Sequence, residues 1–224
     1  MSSDIKPKSP KKKADLKVVI LGESNVGKTS LIQRYIERVF EEDPQSTIGA
    51  SFFLKQWGPY NVAIWDTAGE EKYSSLSSFY CRGASAAIVC YDITKASSLT
   101  TLHNRHLHLL QSAEPNCLIV IVGTKKDLIA SESRAVSEQA GKELAEQQNA
   151  NKTRPLTSLT QVPFFETSSK TGENVDNVFD FILQSCLPLN DSAMADMYTR
   201  KNTGVDLDKK TSSRDSTQGK CCGS

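Results

Sequence analysis

The chain has 224 residues and a net charge of +1, with 27 Lys and Arg against 26 Asp and Glu. That length favours one domain with tails over two domains and is enough for a substantial core, while near-neutrality argues against a broad nucleic-acid surface. Six cysteines lack metal-type spacing, no signal peptide precedes the fold and no apolar run reaches membrane-spanning length, which points to a reducing cytoplasmic compartment.

Residues 1–14 hold Lys6, Lys8, Lys11, Lys12 and Lys13 without apolar periodicity, so they read as a disordered basic arm that an anionic membrane could attract. A short apolar strand is predicted over 16–21, followed by a helix over 28–38 whose Ile32, Tyr35, Ile36 and Val39 recur at helical spacing. Strands near 51–56 and 61–66 are joined by too few residues around Trp57–Tyr60 for a crossover helix, so they must form a hairpin. Next come a strand over 85–91, a helix near 97–112, a strand over 117–123 and a helix over 135–148. A short strand around 162–165 and a helix over 173–186 complete the series, and Pro188 stops the last helix.

This alternation predicts an α/β fold: a six-stranded, mostly parallel sheet with one antiparallel edge strand and helices on both faces. Cys81, Cys90, Cys117 and Cys186 fall in apolar segments that read as core, the last on a stripe with Val175, Val178, Phe179 and Ile182. His103, His106 and His108 read as a solvent-facing stripe, since no carboxylate or Cys completes a metal site. Residues 188–224 are polar with charges nearly cancelling and read as a flexible linker.

In such a sheet, ligands bind at the carboxyl ends of the strands. Between the first strand and the first helix lies GESNVGKTS, residues 22–30, which fills the phosphate-loop pattern with Gly22, Gly27, Lys28 and Thr29. There Ser24, Asn25, Val26, Gly27, Lys28, Thr29 and Ser30 would turn backbone N–H groups toward a polyphosphate at a helix N-terminus. Lys28 would reach the β and γ phosphates and the Thr29 hydroxyl would hold Mg²⁺. The strand ending in Asp66–Thr67–Ala68–Gly69 offers a carboxylate suited to the same Mg²⁺, usually through water, and a Gly69 N–H that could sense the γ-phosphate.

A third strand ends in Thr124–Lys125–Lys126–Asp127. A carboxylate there accepts from both N1–H and the exocyclic amine of guanine, a donor pair adenine does not offer, so Asp127 selects guanine and opposes an ATP-using enzyme. Lys125 can lay its stem along the base, and Ser168, Ser169 and Lys170 offer backbone N–H groups to the base oxygen.

In this order, the phosphate loop, Thr47–Ile48–Gly49, Trp65–Asp66–Thr67–Ala68–Gly69, Thr-Lys-x-Asp and Glu166–Thr167–Ser168–Ser169–Lys170 resemble the Ras-like small GTPases, and within them the Rab branch. The similarity covers about residues 15–187 plus the last four, so the chain divides into a basic arm (1–14), a GTPase domain (15–187) and a tail (188–224).

The resemblance implies a monomeric GTP-dependent switch in vesicle traffic that hydrolyses GTP to GDP. Its partners would be exchange factors, GTPase-activating proteins, a dissociation inhibitor or escort, and effectors. It assigns Thr47 to Mg²⁺ and the γ-phosphate, Phe40 to packing on guanine, and Lys28, Thr47, Gly69 and Glu70 to the catalytic set. Phe52, Trp65 and Tyr80 look like the Rab aromatic trio that reports nucleotide state, although by composition alone they read as core. Phe53–Trp57 and Tyr80–Ala84 look most like the divergent Rab-twenty branch, implying endosomal or phagosomal membranes. The terminal Cys221–Cys222–Gly223–Ser224 resembles a double-prenylation signal, and two lipids suffice for an anchor on the cytosolic face of an organelle where one would not.

Three departures stand out. Thr124 replaces the usual Asn, the hairpin at 55–61 is shorter than usual, and Glu70 stands where the family has the Gln that orients the attacking water. The last predicts slow intrinsic hydrolysis and supports an alternative, a mostly GTP-loaded scaffold that recruits effectors to a membrane.

Overall fold

A computed structural model describes residues 14–70, 74–150, 152, 159 and 161–188. The expected basic arm, the polar tail and Cys221–Cys222 lie outside these residues, apart from Ala14 and Pro188.

Strand β1 (Leu16–Leu21) leads through the glycine loop into α1 (Lys28–Ile36). Strands β2 (Ala50–Trp57) and β3 (Tyr60–Thr67) form the expected hairpin, turning at Gly58–Pro59 with Gly58 at φ 54 and with Trp57 opposite Tyr60. Helix α2 (Ser74–Cys81) was not predicted, because its serine-rich sequence carries little apolar periodicity. Then come β4 (Ala86–Asp92), α3 (Ala96–Thr101), α4 (Leu107–Leu109), β5 (Leu118–Thr124), α5 (Glu138–Asn149), β6 (Phe164–Glu166) and α6 (Val175–Cys186).

The six-stranded sheet has the order β2-β3-β1-β4-β5-β6, parallel except for the β2–β3 pair, as expected. Every residue of β4 and β5 is buried, because helices cover both faces and a two-sided strand must be apolar throughout. Val19, Val89, Tyr91, Ile121, Leu102 and Leu144 share one core layer. On the other face, Val18 and Ile64 meet Tyr35 of α1 and Phe179 and Ile182 of α6. Tyr35 and Phe179 stack with ring centroids 3.8 Å apart.

Several boundaries move for identifiable reasons. Helix α1 ends at Ile36 rather than 38, since Arg38 adopts a left-handed φ of 64°. Helix α5 starts at Glu138 because the Ser137 hydroxyl caps it by accepting from the Ala140 N–H at 3.2 Å, while Ala135 and Val136 bond to the Ile93 carbonyl. Helix α6 starts after Asn174, another left-handed residue.

The predicted helix over 97–112 is broken by a π-helical stretch, Leu102–His106, and closes in a 3-10 turn, Leu110–Ser112. The wider turn shifts the helical register, and the expected solvent-facing histidine stripe is corrected: His103 and His108 are exposed, but His106 is buried. Cys186 is also only half-buried, unlike Cys81, Cys90 and Cys117.

Candidate functional site

Two adjoining hollows open at the carboxyl ends of β1, β3, β4 and β5. The smaller, about 50 Å³, is lined by Ser24, Asn25, Gly27, Lys28, Thr29 and Ser30 on one side and by Thr47, Gly69 and Glu70 on the other. The larger, about 420 Å³, is lined by Asn25, Gly27, Ser30, Phe40, Thr124, Lys125, Asp127, Ser169 and Lys170. The first has the polar wall a polyphosphate requires, and the second has the size and mixed chemistry of a nucleoside site.

The floor of the smaller hollow is backbone. Helix α1 starts on Gly27, at φ 93, with no side-chain cap, so its first N–H groups remain for a ligand. Gly22 sits at φ 147, where an added Cβ would stand 2.4 Å from the Cys90 carbonyl oxygen. The buried Lys28 ammonium donates to Gly22 O at 2.9 Å and Glu23 O at 2.8 Å, which arches the loop and leaves one of its three N–H bonds for a ligand. Burial pushes the Lys28 pKa down, against the opposing pull of Asp66. Gly69 presses on the same loop from β3, with an ideal Cβ only 2.3 Å from the Ser24 nitrogen.

Beside Lys28, three oxygens from three elements converge. Thr29 Oγ1 donates to Asp66 Oδ2 at 2.7 Å, Thr47 Oγ1 lies 3.3 Å from the same oxygen, and the two hydroxyls are 2.9 Å apart. Burial raises the Asp66 pKa, with the Thr29 hydrogen bond opposing it. Asp66 Oδ1 is buried and has no hydrogen-bond partner among the described residues. Two hydroxyls and a carboxylate with an unsatisfied oxygen fit a hard divalent cation that keeps several waters, as Mg²⁺ does. No group of three or more His, Cys, Asp or Glu suited to a metal occurs among the described residues.

At the larger hollow, Ser168 Oγ donates to Asp127 Oδ1 at 2.6 Å and orients that carboxylate. Lys125, at φ 61, sends its ammonium to Asp92 Oδ2 at 2.8 Å, which anchors the far end of its stem. Although burial pushes the Asp92 pKa up, Lys125 and Thr94 hold it below the usual carboxylate range. The Thr124 hydroxyl bonds the Val26 and Tyr91 carbonyls, so this residue in place of Asn still ties the phosphate loop to β4 and β5.

Val26, Asp66 and Ser168 therefore stand behind the walls, supporting residues that line them. Glu41, Glu42, Asp43, Pro44, Gln45 and Ser46, in the segment 41–50 expected to order around the γ-phosphate but with no individual role assigned, also line the hollows, as does Leu128, which sequence reasoning missed. For Leu128 the one signal was adjacency to Asp127.

Outside the cleft, the Phe52 ring meets Trp65 edge-on at 5.0 Å, and Trp65 stacks on Tyr80 at 5.3 Å. Phe52 is exposed and the other two are half-buried, so the aromatics read by composition as core form a surface ledge that Phe79 extends, its ring meeting Tyr80 edge-on at 5.8 Å. None of the described helices is long and apolar enough to cross a membrane.

Comparison with known proteins finds that a family model described as the Ras family matches residues 17–187. The human Ras-related protein Rab-20 (Homo sapiens) is 40% identical over 206 residues, covering 80% of this chain and 87% of that protein. The mouse Ras-related protein Rab-20 (Mus musculus) is 38% identical over 203 residues, with the same coverage.

Proposed function

Because this chain belongs to the Ras family, as a Rab-type small GTPase close to the Rab-20 branch, we propose that residues 22–30, Thr47, Asp66, Gly69, Asp127 and Ser168–Lys170 are its nucleotide site. Members of this family bind guanine nucleotide, hydrolyse GTP and act as switches in membrane traffic. The observation that carries the site assignment is the meeting of Thr29, Thr47 and Asp66 beside Lys28 at the polar end of the cleft.

In this reading Thr29, Thr47 and Asp66 would hold Mg²⁺. When bound, the ion would offset negative charge on the β and γ phosphates. Lys28 directs its remaining N–H at the same oxygens, and Asp127, oriented by Ser168, accepts from the guanine edge. Phe40 packs on the base, and the Lys125 stem runs beside it. Residues 41–50 and 69–80 would order around the γ-phosphate and relax when it leaves.

Exchange factors, activating proteins, a dissociation inhibitor or escort and effectors would read that state, effectors through the ledge of Phe52, Trp65 and Tyr80. We assign residues 15–187 as the working domain, joined by the tail to a membrane. Cys221 and Cys222 would carry two prenyl groups and hold the protein on the cytosolic face of an endosomal or phagosomal organelle. Mass spectrometry of cell-derived protein with no prenyl on either Cys would overturn the anchor.

Glu70 sets the expected rate. Gln can accept from the attacking water and donate toward the phosphoryl group, whereas ionised Glu cannot donate. A carboxylate about 5 Å from phosphate costs on the order of 3 kcal/mol per unit charge at an effective dielectric of 20. Acting only in the transition state, that is roughly two decades in rate. Single-turnover hydrolysis should therefore speed up as much as a hundredfold in Glu70→Gln; an equal or lower rate rejects this role for Glu70.

Glu70 also favours a second reading, a GTP-loaded scaffold with negligible turnover. Nucleotide released from freshly purified protein decides between the two, mostly GDP for the cycling enzyme and mostly GTP for the scaffold.

A further inference from the structure

The segment carrying Phe40 leaves α1 through Arg38, whose left-handed φ of 64° is unfavourable for a residue with a side chain. Such a conformation persists where surrounding contacts hold it. Here Arg38 Nη1 donates to both carboxylate oxygens of Asp176 at 2.7 and 2.9 Å, and Arg34 Nη1 donates to the Arg38 carbonyl at 3.0 Å. Asp176 lies in the first turn of α6, where a negative charge is favoured by the helix dipole. Two residues beyond Phe40, Glu42 Oε1 accepts from Lys170 Nζ at 3.1 Å. Phe40 thus hangs between two pins, both fastened to the stretch 170–176.

We infer that Arg38 and Asp176, with the Glu42–Lys170 pair, form a retention strap that positions Phe40 over the base and sets how fast guanine nucleotide leaves. This rests on the larger hollow being the base site. Phe40 and Ser169–Lys170 both line the larger hollow, so in this reading release parts the Phe40 wall from the Ser169–Lys170 wall. Parting them pulls Arg38 from Asp176 and Glu42 from Lys170. Both pairs are solvent-exposed, so each contributes modestly. Their leverage comes from flanking the one aromatic ring on that wall. Arg38 and Asp176 are positioning residues, as neither lines the cleft.

The test is release of fluorescently labelled GDP from the full chain into excess unlabelled GDP. Arg38→Gln and Asp176→Asn should each speed release roughly two- to fivefold, and the double variant should be no faster than the faster single, because both break one pair. Raising the salt should speed release from wild type more than from the double variant. Arg38→Gly, which relieves the backbone while removing the pair, should release faster without melting lower. Single-turnover hydrolysis of preloaded GTP should stay at the wild-type rate in all of them.

Unchanged release in both single variants overturns the strap, as do effects that simply add or that track a fall in melting temperature. A wild-type chain that takes up no labelled GDP overturns the nucleotide reading, and the strap with it. Normal uptake with variant release unchanged overturns the strap alone.

Discussion

The two ends of the cleft are built differently. At the phosphate end, Lys28 and Asp66 are buried, and added methyl groups on Gly22 and Gly69 would collide with backbone at 2.4 and 2.3 Å. At the base end the ties are made by side chains: Lys170 to Glu42 at 3.1 Å on the walls, and, behind or beyond them, Ser168 to Asp127 at 2.6 Å and Arg38 to Asp176 at 2.7 Å. The phosphate end lies over β1, β3 and β4, each with a strand on both sides, so its loops are locked between backbones. The base end lies toward β5 and the edge strand β6, where loops must be tied together afterwards. On the proposed nucleotide site, one end would decide whether nucleotide binds, and the other which nucleotide and for how long.

That division can be broken most directly at Lys28. Replacing it with Ala removes the one charge-assisted hydrogen bond left for phosphate, worth about 1.5–3 kcal/mol, so GDP and GTP affinity should fall up to about a hundredfold by calorimetry. Asp127→Asn should cost guanine nucleotide roughly tenfold, because the amide NH₂ then faces one of the two guanine donors, while leaving the phosphate contacts in place. If Asp127→Asn proved the more damaging, or Lys28→Ala left affinity intact, the contrast between the ends would fail. Weaker effects, of a few-fold in release rate, are expected from the strap.

A separate effect, on stability rather than on binding, lies behind the phosphate end and extends the contrast to pH. Burial, reinforced by the charges of Lys28 and Arg105, lowers the His106 pKa from 6.5 to about 4. On acidification the unfolded chain takes up this proton first, so the stabilisation is complete above pH 6.5 and is lost as pH falls toward 4. At about 1.4 kcal/mol per pKa unit, the loss is on the order of 3 kcal/mol. Melting curves of His106→Leu should fall less steeply than wild type across that window. Parallel curves would mean that His106 is protonated at no cost in the folded state.

Local chemistry made much of this protein legible in its sequence. The phosphate loop, Asp66–Gly69 and Asp127 follow strands, and strands buried on both faces are unbroken apolar runs, so their positions and the sheet class could be read directly. Glu70 was also legible, because a carboxylate differs from an amide wherever it stands.

Only the tertiary structure decided how the site is held. The π-helical stretch that turns His106 inward, the Thr124 bond to Val26 across 98 residues and the Arg38–Asp176 pair across 138 leave no periodic trace. Nor does any spacing in the chain predict that Lys28 fastens to the carbonyls of its own loop. Hydrophobic pattern and turn chemistry act over a few residues and specify elements. Contacts between residues far apart in the chain depend on how those elements pack, and that packing determines how firmly each end of the cleft closes.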